Sequence, residues 1–215
     1  MASEMGMTDE VLAAGFAHFK VEHGAPWGDY GAVLMNGCMI SGPDGVERYG
    51  RVGPFVPPVS TCWGVGPLVT DKVADRLRAS GLRGLELRRV EPRPAVRFDW
   101  RHLVDRAPEL DDPIPDEIYE RLIESDPNSL VSHGQHDSSL VDEMGPLWQI
   151  HGTEVPMVHG ADGDDAWDRA HVGELDAFHD GDGWRAFSLR ALEVLVQEAG
   201  APCRFQLRRV VDVSG

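Results

Sequence analysis

The stretch from Trp63 to Val90, WGVGPLVTDKVADRLRASGLRGLELRRV, reads as strand, capped helix, glycine stop and strand. Leu68 and Val69 run into Thr70, whose hydroxyl is placed to accept from the free N–H groups of a first helical turn, with Asp71 beside the positive end of the helix dipole. Val69, Val73, Ala74 and Leu77 recur at helical spacing, Arg76 and Arg78 suit the last turn, and Gly81 offers a left-handed stop. Beyond it Leu85 and Leu87 alternate with Glu86 and Arg88, the period of a strand with one dry face.

The same grammar returns near the end of the sequence, from Trp184 to Val210, WRAFSLRALEVLVQEAGAPCRFQLRRV. Ser188 stands in the place of Thr70, and Ala191, Leu192, Leu195, Val196 and Ala199 make the apolar stripe. Gly200 ends the helix, and Cys203, Phe205 and Leu207 alternate in the strand. The caps Thr70 and Ser188 lie 118 positions apart, whereas the shared Leu-Arg-Arg-Val endings lie 120 apart. That difference predicts two extra residues between cap and strand end in the second unit. Two units fall short of the three or more that a solenoid stacks.

Around these units the pattern is less regular. Thr8 to Lys20 reads as a helix with Leu12, Phe16 and Phe19 on one face. Short extended runs follow at 32–35, 38–40 and 46–49, broken by Asn36-Gly37 and by Gly42-Pro43-Asp44-Gly45, both hairpin signals. Pro54, Pro57 and Pro58 form a rigid connector. Val96, Phe98 and Trp100 alternate with Arg97, Asp99 and Arg101, a third strand candidate over 95–103. A short helix is expected over 116–124, no regular structure over 125–145, brief strands over 147–150 and 155–158, and an Asp/Gly/His-rich loop over 159–183. The expected architecture is α+β, with mixed sheets and packed helices around the two strand–helix–strand units. It forms one domain over 1–215, or two lobes at 1–106 and 107–215.

The 215 residues, 42% apolar and 26% charged, suffice for a sizeable core. No apolar run reaches the roughly 20 residues of a membrane span, and MASEMGMTDE has neither a basic start nor an apolar stretch of a secretory signal, so a cytoplasmic protein without membrane contact is expected. Cys38, Cys62 and Cys203 are odd in number and scattered, which argues against a disulfide framework and predicts buried or half-buried thiols. Charge is more telling. From Arg76 to Arg106 nine arginines face four acidic residues, while 108–183 holds twenty acidic residues against Arg121 and Arg169. That segment's net −18 exceeds the −16 of the whole chain. Such a face repels phosphate, which excludes direct nucleic-acid binding through it, and suits a basic partner.

Catalytic grammar is sparse. The sequence has no GxSxG, phosphate loop, dinucleotide fingerprint or HxE with PCxxC. His133, His136 and Asp137, joined in space by His151 or His159, would be a metal set for a hydrolase. Against it, HxxH here lies in a loop and has no intervening Glu to act as base. Asp162, Asp164, Asp165, Asp180 and Asp182 fit no calcium loop, and a solvated acidic loop is expected there. Trp148 and Trp167 sit in or beside acidic stretches, where core packing competes with a role as interface anchors.

The first unit, followed at a distance by Val172-Gly-Glu-Leu-Asp-Ala-Phe-His179 and by Trp184-Arg-Ala-Phe-Ser-Leu-Arg-Ala191, resembles immunity proteins of bacterial polymorphic-toxin systems. In that family an Asp-x-Phe segment, here Asp176 and Phe178, precedes a strand, a Ser-capped helix and a closing strand. The likeness covers roughly 63–103 and 172–210 and rests on hydrophobic pattern. One branch carries two CxxCG motifs that look zinc-binding; this sequence has neither, so no metal or cofactor is carried over. The resemblance implies a non-catalytic inhibitor of a cognate protein toxin. The acidic segment fits a basic toxin, including one that acts on nucleic acid. Asp111, Asp112, Asp116, Glu117, Glu120, Asp162, Asp164, Asp165 and Asp168 are its expected toxin-binding carboxylates, with Tyr119, Trp148 and Trp167 as anchors. A metal-dependent hydrolase is the alternative, and an adaptor for a different basic protein is a third reading.

Overall fold

A computed structural model of the chain describes residues 7–22, 36–41, 44, 46–62, 66–97, 131, 135–159, 165–181 and 185–212. The fold is α+β. At the N-terminal end the expected helix over 8–20 is divided by Gly15. Thr8 caps helix α1 (Asp9–Ala14) by accepting from Val11 N at 3.4 Å, and Gly15, at φ +78°, closes it after six residues. Phe16–Val21 becomes strand β1 instead, with Ala17, Phe19 and Val21 buried on one face. Phe16 and Phe19 mimic helical spacing, but the alternation of the residues between and beyond them is satisfied by pairing on both sides of the strand.

β2 (Cys38–Ser41) and β3 (Glu47–Gly50) form the hairpin that the Gly-Pro-Asp-Gly run signals. The run expected at 32–35 lies outside the described residues. Then comes the first unit: β4 (Val59–Cys62) and β5 (Gly66–Thr70), helix α2 (Asp71–Ala79), and β6 (Glu86–Arg89). Thr70 occupies the cap position in an extended conformation, yet its hydroxyl makes no capping bond, and Gly81 turns left-handed at φ +66° after Ser80. β6 is exposed apart from half-buried Leu87, so the expected dry face is partial.

Of the strand candidate over 95–103 the described residues show β7 (Ala95–Val96), paired with β8 (His136–Asp137). The helix expected over 116–124 lies outside them. Residues 125–145, expected to be irregular, include helix α3 (Ser139–Met144), whose buried Leu140 and Met144 are too few to give a periodic signal in sequence. β9 (Leu147–His151) passes through Gly152 into β10 (Thr153–Glu154), followed by β11 (Met157–His159) rather than one strand over 155–158. The expected loop over 159–183 also needs correction. It contains β12 (Asp165–Asp168), helix α4 (Arg169–Val172) and β13 (Ala177–His179), because Ala166, Trp167, Val172 and Phe178 are buried. The second unit is β14 (Arg185–Ser188), helix α5 (Leu189–Ala199) and β15 (Cys203–Leu207), with β16 (Val210–Val211) after it.

Two sheets carry the architecture, β4–β5–β9–β6 and β10–β13–β14–β1–β15. In the first, β9 lies antiparallel between β5 and β6, so the strands joined by α2 run parallel with a foreign strand between them. In the second, β1 lies in the same way between β14 and β15, which α5 joins. The registers coincide. Val59↔Val69 recurs as Ala177↔Phe187, and Ser60↔Leu68 as Phe178↔Ala186. On the far side Leu87↔Ile150 recurs as Phe205↔Phe19, and Arg89↔Trp148 as Leu207↔Ala17. Every equivalent pair within the units is 118 positions apart, the closing strands included. The Leu-Arg-Arg-Val match at 120 is therefore out of register: Leu87 corresponds to Phe205. The eleven-residue α5 outruns the nine-residue α2 by two, and a shorter turn absorbs the difference.

One core joins α2, α5 and the inner faces of both sheets, with Phe19, Val69, Leu77, Ile150, Phe187, Leu192 and Leu195 at its centre. A second cluster, with Trp167, Phe178 and Val172, fills the space between β13–β14 and the small sheet β11–β12–β16. Both large sheets take strands from before and after residue 106, β1 with β14 and β15, and β9 with β5 and β6.

Candidate functional site

The residues expected to meet a partner fall into three groups. Asp111, Asp112, Asp116, Glu117, Tyr119, Glu120, Asp162 and Asp164 lie outside the described residues. Asp165 is exposed at the start of β12, near exposed Glu154 and Glu174 in sequence order, with Asp142 and Glu143 exposed on α3. Asp168 and the two tryptophans make up the third group. Asp168 caps α4, its Oδ1 accepting from Ala170 N at 3.0 Å, and its Oδ2 sits 3.3 Å from His171 Nδ1.

The two tryptophans are not equivalent. Trp167 is 2% exposed, donates from Nε1 to Val155 O at 3.1 Å and meets Phe178 edge-on at 5.2 Å, so it is a core residue and not a surface anchor. Trp148 is half-buried on β9. Its Nε1 donates to Asp71 Oδ1 at 2.8 Å, and the Arg78 guanidinium stacks 4.2 Å above the ring. It ties the sheet to both ends of α2, with a rim still open to solvent.

The described members of the histidine set, His136, Asp137 and His151, lie in two different sheets. Among the described residues no three His, Cys, Asp or Glu side chains gather as metal ligands. His136 shares a hydrogen between Nε2 and Val131 O at 2.8 Å. Asp137 accepts from Ser139 N and Oγ at 2.9 and 2.6 Å and from Arg97 Nε at 2.8 Å, and the Ser139 hydroxyl and Arg97 hold its carboxyl down to about 2. His151 lies in another sheet, opposite Glu86. Burial first, then Arg88 and Arg185, push it down to about 4. His133 and the side chain of His159 lie outside the described residues.

The work of Asp176 is not legible in the sequence around it. This buried carboxylate accepts from Ser188 Oγ at 2.6 Å and from Arg83 N at 2.9 Å, while Ser188 Oγ accepts in turn from Ala191 N at 3.2 Å. The Asp-x-Phe pair thus locks the cap of α5 to the loop after α2, and Phe178 fills the second core. Two buried arginines were equally illegible. Arg51 donates to Gly53 O and Tyr49 Oη, and Tyr49 Oη donates to Asn36 O. Arg185 lies against Gly66 at φ +81°, where a Cβ would come within 2.7 Å of the guanidinium. Arg51 is held by partners two positions away on either side and Arg185 packs against a residue more than a hundred positions away, and in neither case does the sequence pattern mark a buried guanidinium.

Comparison with known protein families, curated proteins and solved structures returns no match to this chain. Among the described residues no helix is long and apolar enough to cross a membrane.

Proposed function

We propose that the chain is a non-catalytic immunity protein that binds a cognate protein toxin and neutralises it inside the cell that makes both. One observation carries this reading: residues 108–183 concentrate a net −18 on a chain whose remainder is close to neutral. Opposite potential on a basic toxin, such as one built to grip nucleic acid, would speed their encounter and set its orientation. The acidic residues around Asp111–Glu120 and Asp162–Asp168 supply steering and rim contacts, with Tyr119 and the open rim of Trp148 as contacts nearer the centre. Interlocked sheets suit this role, because a rigid inhibitor loses little entropy on binding.

The test is co-expression with the toxin domains encoded in adjacent reading frames, one at a time. One of them should form a complex that survives gel filtration and should no longer arrest growth, with an association rate that falls steeply between low and physiological salt. Failure of every such domain to bind or be neutralised contradicts the proposal.

A further inference from the structure

We propose that the molecule is two copies of one unit that have exchanged their helix–strand arms, and that the N-terminal arm can be exchanged in the same way with a second copy of the chain. The arms are α1–β1 and α3–β9. Each begins with a six-residue helix that ends at a glycine of positive φ, Gly15 at +78° and Gly145 at +69°, and continues as a strand buried between two parallel strands. In chain order α1–β1 precedes β4–β5–α2–β6, and α3–β9 precedes β13–β14–α5–β15. Each arm nevertheless pairs inside the other unit. The junctions match as well. β1 ends against β4, Thr61 Oγ1 donating to Val21 O at 3.5 Å, and β9 runs on through Gly152 to lie beside β13 as β10.

This is the arrangement a swapped dimer of single units would keep if its two chains were joined. The bonds an arm makes in its acceptor sheet do not depend on which chain supplies it. An exchanged dimer of the whole chain therefore repeats every monomer contact and differs only in the path of the connecting segment. That segment, residues 23–35, has thirteen residues and reaches up to about 45 Å when extended. Ala17, Phe19 and Val21 are at most 1% exposed, so an arm leaves its slot only when the sheet opens, and monomer and dimer should interconvert only through unfolding.

The test uses full-length protein in two forms with different affinity tags, mixed, unfolded in urea and refolded over a range of concentrations. A dimer carrying both tags should rise with refolding concentration, while co-incubation of native proteins should give none. The position of the arm is read with Val21→Cys. Val21 faces Cys203 in a pair flanked by the hydrogen-bonded pair Glu22 and Pro202, so it is a close, non-hydrogen-bonded pair suited to a disulfide. After oxidation with diamide the 21–203 bond should join two chains in the dimer fraction and close within one chain in the monomer. Protein that refolds only as monomer at every concentration, mixed dimers from native proteins, or a dimer with the bond inside each chain would overturn the proposal. If Val21→Cys does not fold, the tag-mixing result on the wild-type chain decides alone.

Discussion

At the scale of single residues, Asp176 is the clearest case of a side chain whose work is invisible to its neighbours in sequence. It is 8% exposed and satisfies both the Ser188 hydroxyl and the Arg83 amide, donors on segments 12 and 93 positions away. Asp176→Ala leaves both without their acceptor and should cost about 2 kcal/mol, with Asp176→Asn losing less; urea denaturation at pH 7 measures the difference. A loss under about 0.5 kcal/mol for the alanine variant would show the clamp to be idle. His151 supplies a pH dependence. Burial holds it down to about 4 in the fold, against 6.5 as its ordinary value. Between those values the unfolded chain takes up a proton that the folded chain refuses, so stability is full above about 6.5 and declines as pH falls toward 4. His18 is shifted down as well, burial again being the largest cause, and adds in the same direction. His151→Gln should shrink the drop in stability measured between pH 7 and pH 5; an unchanged drop contradicts this assignment.

At the scale of elements, the two helices share a position for their caps but not the bond. Ser188 accepts from Ala191 N, whereas Thr70 makes no side-chain capping bond. Ser188→Ala should therefore cost about 1 kcal/mol and Thr70→Ala less than half of that, read from paired thermal melts. Equal losses would mean that the cap geometry of the two helices is the same. Strand order was hidden for a physical reason. Alternation such as Ala17, Phe19, Val21 shows that a segment can be a strand, but pairing partners are chosen by the whole core, and β1 and β9 each pair with strands from far along the chain. Helix–glycine–strand signals were legible in both units because caps, stripes and stops are local. Trp167 was not, because acidic neighbours at Asp164, Asp165 and Asp168 mask a short strand that buries the adjacent pair Ala166 and Trp167 and so shows no alternation. Gly152 marks the point where one strand passes from sheet to sheet. A Cβ there would lie 2.5 Å from Phe178 N and close to its Cα, and backbone cannot yield as a side chain tip can. Gly152→Ala should cost about 3 kcal/mol in urea denaturation, whereas a cost within 0.5 kcal/mol would mean that the crossing is loose.

At the scale of the molecule, the two units are interlocked because each sheet is completed in its middle by a strand that belongs, in chain order, to the other. The repeat was visible in sequence as two capped helices 118 positions apart, but its extent was not, since the misleading Leu-Arg-Arg-Val match broke the register and the arms have diverged to Ala17, Phe19 against Trp148, Ile150. The candidate site was legible as charge and not as geometry: Asp168, Asp176 and Trp167 are committed to the scaffold, Glu174 pairs with Arg83, and the exposed acids described within 108–183 are Asp142, Glu143, Glu154, Asp165 and Glu174. Interlocking has a thermodynamic consequence. Neither sheet can open without stripping the central strand of the other copy's arm, so the chain should behave as one cooperative unit in spite of its duplicated plan. Native-state hydrogen exchange resolved by residue tests this most directly. The amides of β1, β5, β9 and β14 should all exchange with one common opening free energy equal to that of global unfolding, and β5–β9 opening at a distinctly lower free energy than β1–β14, or the reverse, would contradict it.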